Sequence, residues 1–342
     1  MSSIHRALRK RRKNLIGVLS LALFIALLPL WINTPYALST MILIGIYAIV
    51  TLGLCLLMGY AGQISLGQAA FFGLGAYGSA ILTTRFGWSP WIAMAASALG
   101  TGAIAYLIGI PTFQLRGHYL AMGTLAFGFI VQTVMTEWKG YTGGATGLPG
   151  IPRLTIGAVP IKSDMAYYYL VWAFAITALI VALNIVDSRF GRALRAIRSS
   201  EAAAESLGVK ASQYKLQALV VSAVYASIAG SLYVHYMIFV SPAVCDLDLS
   251  IRLLLMATVG GLASIWGSPF GTAAVMLLTL GLRELVPLFT RHGSGEHQII
   301  AYGILLVVIM IFMPQGLTAA GVRAWRRIGG LEMVRQRLRR RG

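Results

Sequence analysis

Acidic side chains are scarce in this sequence: 10 aspartates and glutamates stand against 28 lysines and arginines, and charged residues of both signs make up only 11% of the chain. A soluble domain usually carries about 25%. Only two cysteines occur, Cys55 in an apolar segment and Cys245 in a polar break, so both read as free thiols with no disulfide or metal framework. Catalytic signatures are lacking too. There is no His-Glu-x-x-His, no nucleophile elbow and no pair of carboxylates on one helix face. No Gly-Lys dipeptide occurs from which a phosphate-binding loop is built, so if ATP powers this protein another chain hydrolyses it. The cluster His292-Gly293-Ser294-Gly295-Glu296-His297 reads as a polar outer loop rather than as a metal site or a serine nucleophile. Glu284 alone among the carboxylates falls inside a predicted span. Proton-coupled carriers need ionisable groups within the membrane, so the shortage counts against that mechanism.

What is abundant is apolar. Hydrophobic residues are 58% of the chain, in long runs parted by short polar breaks. Inside a bilayer the backbone must satisfy its own hydrogen bonds, which helices do segment by segment. Windows of about 20 residues predict spans near 15–32, 36–58, 62–84, 88–110, 117–136, 166–187, 214–237, 250–266, 268–289 and 298–314. The third is interrupted by Gly62, Gly67, Gly73, Gly75 and Gly78 and is predicted to be broken, crossing or re-entrant. The last two long segments before the tenth, 250–266 and 268–289, are parted only at Gly267 and Ser268. The 38 glycines also suit helices that approach closely in lipid. The apolar run from Leu15 to Ile32 lacks a following cleavage site, so it is read as the first span rather than as a signal peptide.

Positive charge falls in three places: Arg6 to Lys13, Arg189 to Lys215, and Arg323 to Arg341. The positive-inside rule puts all three in the cytoplasm, which an even number of spans satisfies. The predicted fold is therefore an all-α, polytopic transmembrane bundle of about ten spans, including the Gly-interrupted helix, with both termini cytoplasmic. It divides into a basic tail at 1–14, a transmembrane domain at 15–318 with a cytoplasmic loop at 188–213, and a second basic tail at 319–342. Nucleic-acid binding is the weaker explanation of the charge.

The central loop is the most informative polar stretch. Arg192, Arg195 and Arg198 recur every three residues, Ser199 or Ser200 is placed to cap a short alanine-rich helix, and Gly208 to end it. Such a helix suits a groove on a partner; the alternative is a solvated connector whose charges only hold topology. Upstream, Gln63, Ser65 and Gln68 are uncharged polar residues on the glycine-rich segment, suited either to a solute path or to bonding neighbouring helices.

At this loop the sequence resembles the permease subunits of branched-chain amino-acid ABC importers, in their LivM-like branch. Residues Gly59 to Gly73, Leu115 to Met122, Thr142 to Leu148, Gly191 to Gly208, Tyr233 to Tyr236 with Ser241-Pro242, and Gly260 to Gly267 carry the likeness, in order, over about 40–318. The resemblance implies a bacterial inner-membrane subunit that translocates branched-chain or related amino acids. It would pair with a second, homologous permease and with two ABC ATPase subunits, which hold ATP-Mg, so this chain needs no cofactor of its own. A periplasmic or extracellular substrate-binding protein would deliver the ligand. The resemblance makes the loop the ATPase-coupling segment, with Arg192, Arg195, Arg198, Glu201, Ala202, Ala203 and Gly208 in it; the glycine comes one residue later than the usual Glu-Ala-Ala spacing. His118 stands where the family commonly shows aspartate, and relatives serve urea, amides and aromatic acids. A stand-alone carrier or channel for a small polar solute is the other reading.

Overall fold

The computed structural model describes residues 2–31, 34–112, 118–156 and 159–289. The predicted tenth span at 298–314, the loop at 292–297 and the tail at 319–342 lie outside them, as do the side chains of residues 1–13, of His118 and of Glu284. Long helices dominate: α1 (Ser2–Trp31), α2 (Pro35–Leu54), α3 (Gln68–Arg85), α4 (Pro90–Thr112), α5 (His118–Glu137) and a single-turn α6 (Lys139–Thr142). Then follow α7 (Asp164–Asp187), the short pair α8 (Arg189–Ser199) and α9 (Glu201–Ser206), α10 (Ala211–Met237), α11 (Leu247–Gly260) and α12 (Gly267–Phe289). Among the described residues, four helical stretches are long and apolar enough to cross a membrane: Pro35–Tyr60, Pro90–Thr112, Asp164–Asp187 and Ala211–Met237.

Two expectations change. The glycine-rich segment is not a helix broken throughout: α3 runs unbroken from Gln68 to Arg85, and the irregular backbone is confined to residues 61–67 before it. Gly62 needs its φ of +70° there, whereas Gly73, Gly75 and Gly78 sit inside the helix and serve contact instead. A Cβ on Gly75 would lie 2.3 Å from the Ser227 carbonyl oxygen of α10. Likewise the break after α11 is not at Gly267 and Ser268, which open α12, but at residues 261–266. That leaves α11 with 14 residues, a rise of roughly 21 Å, short of the hydrocarbon thickness of about 30 Å. The chain is also not purely helical: β1 (Leu148–Pro149) pairs antiparallel with β4 (Phe239–Val240), and β2 (Thr155–Ile156) with β3 (Val159–Pro160). These two-residue ladders satisfy backbone groups where the interhelical segments fold onto the bundle.

The core is a seam of small residues around α10. Gly230 lies so close to α3 that a Cβ there would be 2.0 Å from the Phe72 carbonyl oxygen. Buried phenols cross-brace the bundle, with Tyr167 donating to the Leu232 carbonyl at 2.6 Å and Tyr225 to the Ala178 carbonyl at 3.0 Å. Thr51 of α2 joins Ser268 and Thr272 of α12 in a buried hydroxyl cluster. His235 is buried between Ser79 Oγ (2.8 Å from Nε2) and the Pro152 carbonyl (2.7 Å from Nδ1). A carbonyl only accepts, so Nδ1 carries a proton and both ring nitrogens are satisfied. His235 thereby pins the segment before α7 to α3 and α10.

Candidate functional site

The segment from α8 to the start of α10 is held together by its own chemistry. Ser188 caps α8 by accepting from the Gly191 amide at 3.4 Å, and Ser200 caps α9 by accepting from the Ala203 amide at 3.3 Å; such caps contribute about 1 kcal/mol each. Gly208, at φ +83°, ends α9, with its amide donating to the Glu205 carbonyl at 2.9 Å. The inward face of α8 is Gly191, Leu194 and Ile197, all buried. Ile197 meets Ala204 and Ala211 in a small apolar cluster that joins α8, α9 and α10. Gly191 permits the sharp fold-back, since a Cβ there would be 2.3 Å from the Val186 carbonyl oxygen.

The three arginines turn back onto the helical bundle. Arg192 Nη1 donates to the Asp187 carbonyl at 3.2 Å and Arg195 Nη1 to the Val186 carbonyl at 3.0 Å. These are among the last carbonyls of α7, left without intrahelical donors, and cations are favoured at that helix end. Arg198 Nη1 donates to the carbonyl of Gly59, in the wide π-type turns Cys55–Tyr60 that finish α2. Glu201 is tied as well: its Oε1 lies 2.7 Å from Nζ of Lys215, whose side chain is only 11% exposed. What remains outward is the surface of Ala202, Ala203, Glu205, Gly208 and Leu207, the last 84% exposed. Lys215, Gly191 and Leu207 were not singled out from the sequence. The serine-glycine pattern marks the caps, but nothing local pairs Lys215 with Glu201. Glu201→Gln is expected to loosen the α9–α10 junction by about 1 kcal/mol, because Glu201 is half in water and its partner is not. Hydrogen exchange over residues 200–215 would speed up accordingly; unchanged exchange would mean the pair contributes nothing.

The structure does not bring Gln63, Ser65 and Gln68 to one surface. Gln68 is fully buried and clasps Ser222 of α10, its Nε2 reaching Ser222 Oγ at 3.1 Å and the Ser222 carbonyl at 3.2 Å. Ser65 is buried, and its hydroxyl has no partner among the described residues. Gln63 is half-buried and donates to the Ala61 carbonyl at 3.2 Å. Of the two sequence readings, Gln68 follows the interhelical one. Beside it the amino ends of α3 and α11 meet, with the Ala69 amide donating to Ser250 Oγ at 3.0 Å. From this junction the helices diverge. Along α3 the contacts climb to Ser79 and His235 near the end of α10, while α11 leads to Leu262 and Ala263, against Gly59 and Tyr60. A cleft at the junction is lined by Leu66, Leu125, Phe129, Gln132, Cys245 and Ser250 among others.

A family described as "Branched-chain amino acid transport system / permease component" matches residues 36–314, from α2 onward. The chain belongs to this permease family. The permease is 31% identical over 295 residues to the high-affinity branched-chain amino acid transport system permease protein LivM of Salmonella typhimurium, covering 80% of this chain and 67% of that one. The same figures hold for LivM of Escherichia coli. The LivH permease protein of Escherichia coli is 22% identical over 290 residues, covering 79% of this chain and 90% of its own. No solved structure matches the chain significantly. The permease is thus a multi-pass, mostly helical membrane protein of a transport system and not an enzyme. Both places described above, the α8–α9 segment and the α3–α11 junction, lie inside the matched residues.

Proposed function

We propose that this permease is the membrane-spanning subunit of an ATP-driven importer of branched-chain or related amino acids. A second permease of the same family would complete the pathway, two ATPase subunits would hydrolyse ATP, and an external binding protein would supply the ligand. The observation that carries this reading is the α8–α9 segment: a capped, internally tied unit that leaves its small-residue surface and Leu207 outward. A connector that only holds topology has no need of that construction. On this reading about ten spans place both basic tails and the α8–α9 segment in the cytoplasm of a bacterial inner membrane. The solute path, expected from the sequence at Gln63, Ser65 and Gln68, is proposed to include the cleft where α3 and α11 meet, which is lined by uncharged groups.

The test is uptake of labelled leucine into vesicles holding this chain with its candidate partners. Uptake that requires ATP, the ATPases and the binding protein together is expected. Uptake by this chain alone would overturn the proposal in favour of a carrier. Absent leucine uptake with ATPases stably bound would keep the importer and redirect the ligand search to urea, amides or aromatic acids.

A further inference from the structure

We infer that Arg198 is the residue through which the coupling segment moves the lead-in to α3, an inference that rests on the importer reading. Two independent contacts converge on it. Its guanidinium donates to the Gly59 carbonyl, in the widened last turns of α2. Its aliphatic stem packs on Gly62, where a Cβ would come 3.3 Å from Arg198 Cγ. Gly62 is at φ +70° and lies near the start of the irregular stretch that leads to α3. Arg198 therefore grips both sides of the bend between α2 and α3.

Its neighbours on α8 make a different contact. Among the described residues the hydrogen bonds of Arg192 and Arg195 go to the closing carbonyls of α7, a helix continuous with α8 through the cap at Ser188, although the charge of Arg195 also lies within reach of Tyr60. Arg198 reaches a segment 139 residues away in sequence. From there the chain is short and without helical slack. The Leu66 amide donates to Thr124 Oγ1 of α5 at 3.1 Å, and the Ala69 amide to Ser250 of α11 at 3.0 Å. The Gly59 backbone is also pressed on the turn after α11, a Cβ there falling 1.8 Å from the Leu262 carbonyl oxygen. A displacement of α8 and α9 thus arrives at α3 and α11 through Gly59 and Gly62, by packed contacts rather than through the length of α7 or α10. Arg198 is a positioning residue in this scheme; it needs no contact with an ATPase or with the solute.

The test compares Arg198→Met with Arg198→Lys in the full complex reconstituted with ATPases and binding protein. Methionine keeps an unbranched apolar stem against Gly62 and removes the donor; lysine keeps a donor. The expected result for Arg198→Met is normal capture of the ATPases and continued ATP hydrolysis, with leucine uptake per ATP reduced about tenfold, the scale of one lost charge-assisted hydrogen bond. Arg198→Lys is expected to recover part of that ratio. Hydrogen exchange should accelerate over 61–67 in the methionine variant and stay unchanged in α10. An unaltered ratio of uptake to hydrolysis overturns the inference. So does loss of ATPase binding, or of folding, in proportion to uptake, which would make Arg198 a docking or structural residue. Failure of the wild-type chain to bind any ATPase would instead overturn the importer reading on which this rests.

Discussion

Gly230→Val is expected to abolish the native bundle. The glycine faces the backbone of α3, where even a Cβ would stand 2.0 Å from the Phe72 carbonyl oxygen and 3.0 Å from the Ala76 amide nitrogen. Those are backbone atoms inside a helix and have no rotamer to yield, so α3 and α10 must part. Their separation would open the contact of Gly75 with Ser227 and strain the bonds from Gln68 to Ser222 and from Ser79 to His235. Overpacking of a rigid core costs about 1–3 kcal/mol and occasionally more; loss of the interhelical hydrogen bonds adds about 0.6 kcal/mol each. Thermal unfolding in detergent should show the variant melting far below the parent or failing to purify as a monodisperse species. Gly100→Ala in α4 is the matched control, because nothing lies within 4 Å of its Cβ position and alanine is the better helix former. A Gly230→Val protein that melts with the parent would mean the seam is not closed as described.

On the importer reading, Leu207→Asp is expected to sever the permease from the proposed ATPases while leaving it folded. The side chain is 84% exposed at the end of α9, so the substitution removes little from the permease itself; surface changes of this kind stay within about 0.5 kcal/mol. A leucine desolvated in a partner's groove contributes about 1.5–3 kcal/mol, and a carboxylate in its place adds a desolvation cost. Together these predict a fall in affinity of about 100-fold or more, read by co-purification of tagged ATPase subunits and by loss of ATP-driven uptake at unchanged melting temperature. Retained co-purification would move the contact elsewhere on the loop.

Hydropathy in the sequence locates α2, α4, α7 and α10 well, because each carries its apolar run alone. It misplaces the start of α3 and the end of α11, and the reason lies in glycine. A glycine marks either a bend or a close approach, and only the partner tells which: Gly62 bends, Gly75 touches Ser227. The start of α3 is fixed by Ser250, 181 residues away from Ala69. The arginine spacing was legible as a helical face, with Ser200 and Gly208 as its punctuation. The partners of those arginines were not, since the carbonyls of Val186, Asp187 and Gly59 are backbone atoms with no signature in the side-chain alphabet. Gln68 shows the same limit, for its role was open until Ser222 stood beside it.

The seam between α3 and α10 also sets a schedule for making this protein. Gln68 and Ser222 are separated by 154 residues, so at 5–20 residues per second the ribosome needs roughly 8–30 s to deliver the partner of Gln68. During that interval α3, which carries Gln68, Ser79, Thr83 and three glycines and is not among the four helices of the described residues that are apolar enough to cross by themselves, has to be kept from slipping back. Its early companions are α2, which reaches it through Tyr47 and Phe72, and α4, synthesised next and packed against it where Gly78 faces Ser97. The α3–α4 seam therefore closes well before the α3–α10 seam, and the bond from Ala69 to Ser250 of α11 closes later still, so α4 steadies the helix before it while the chain is being made.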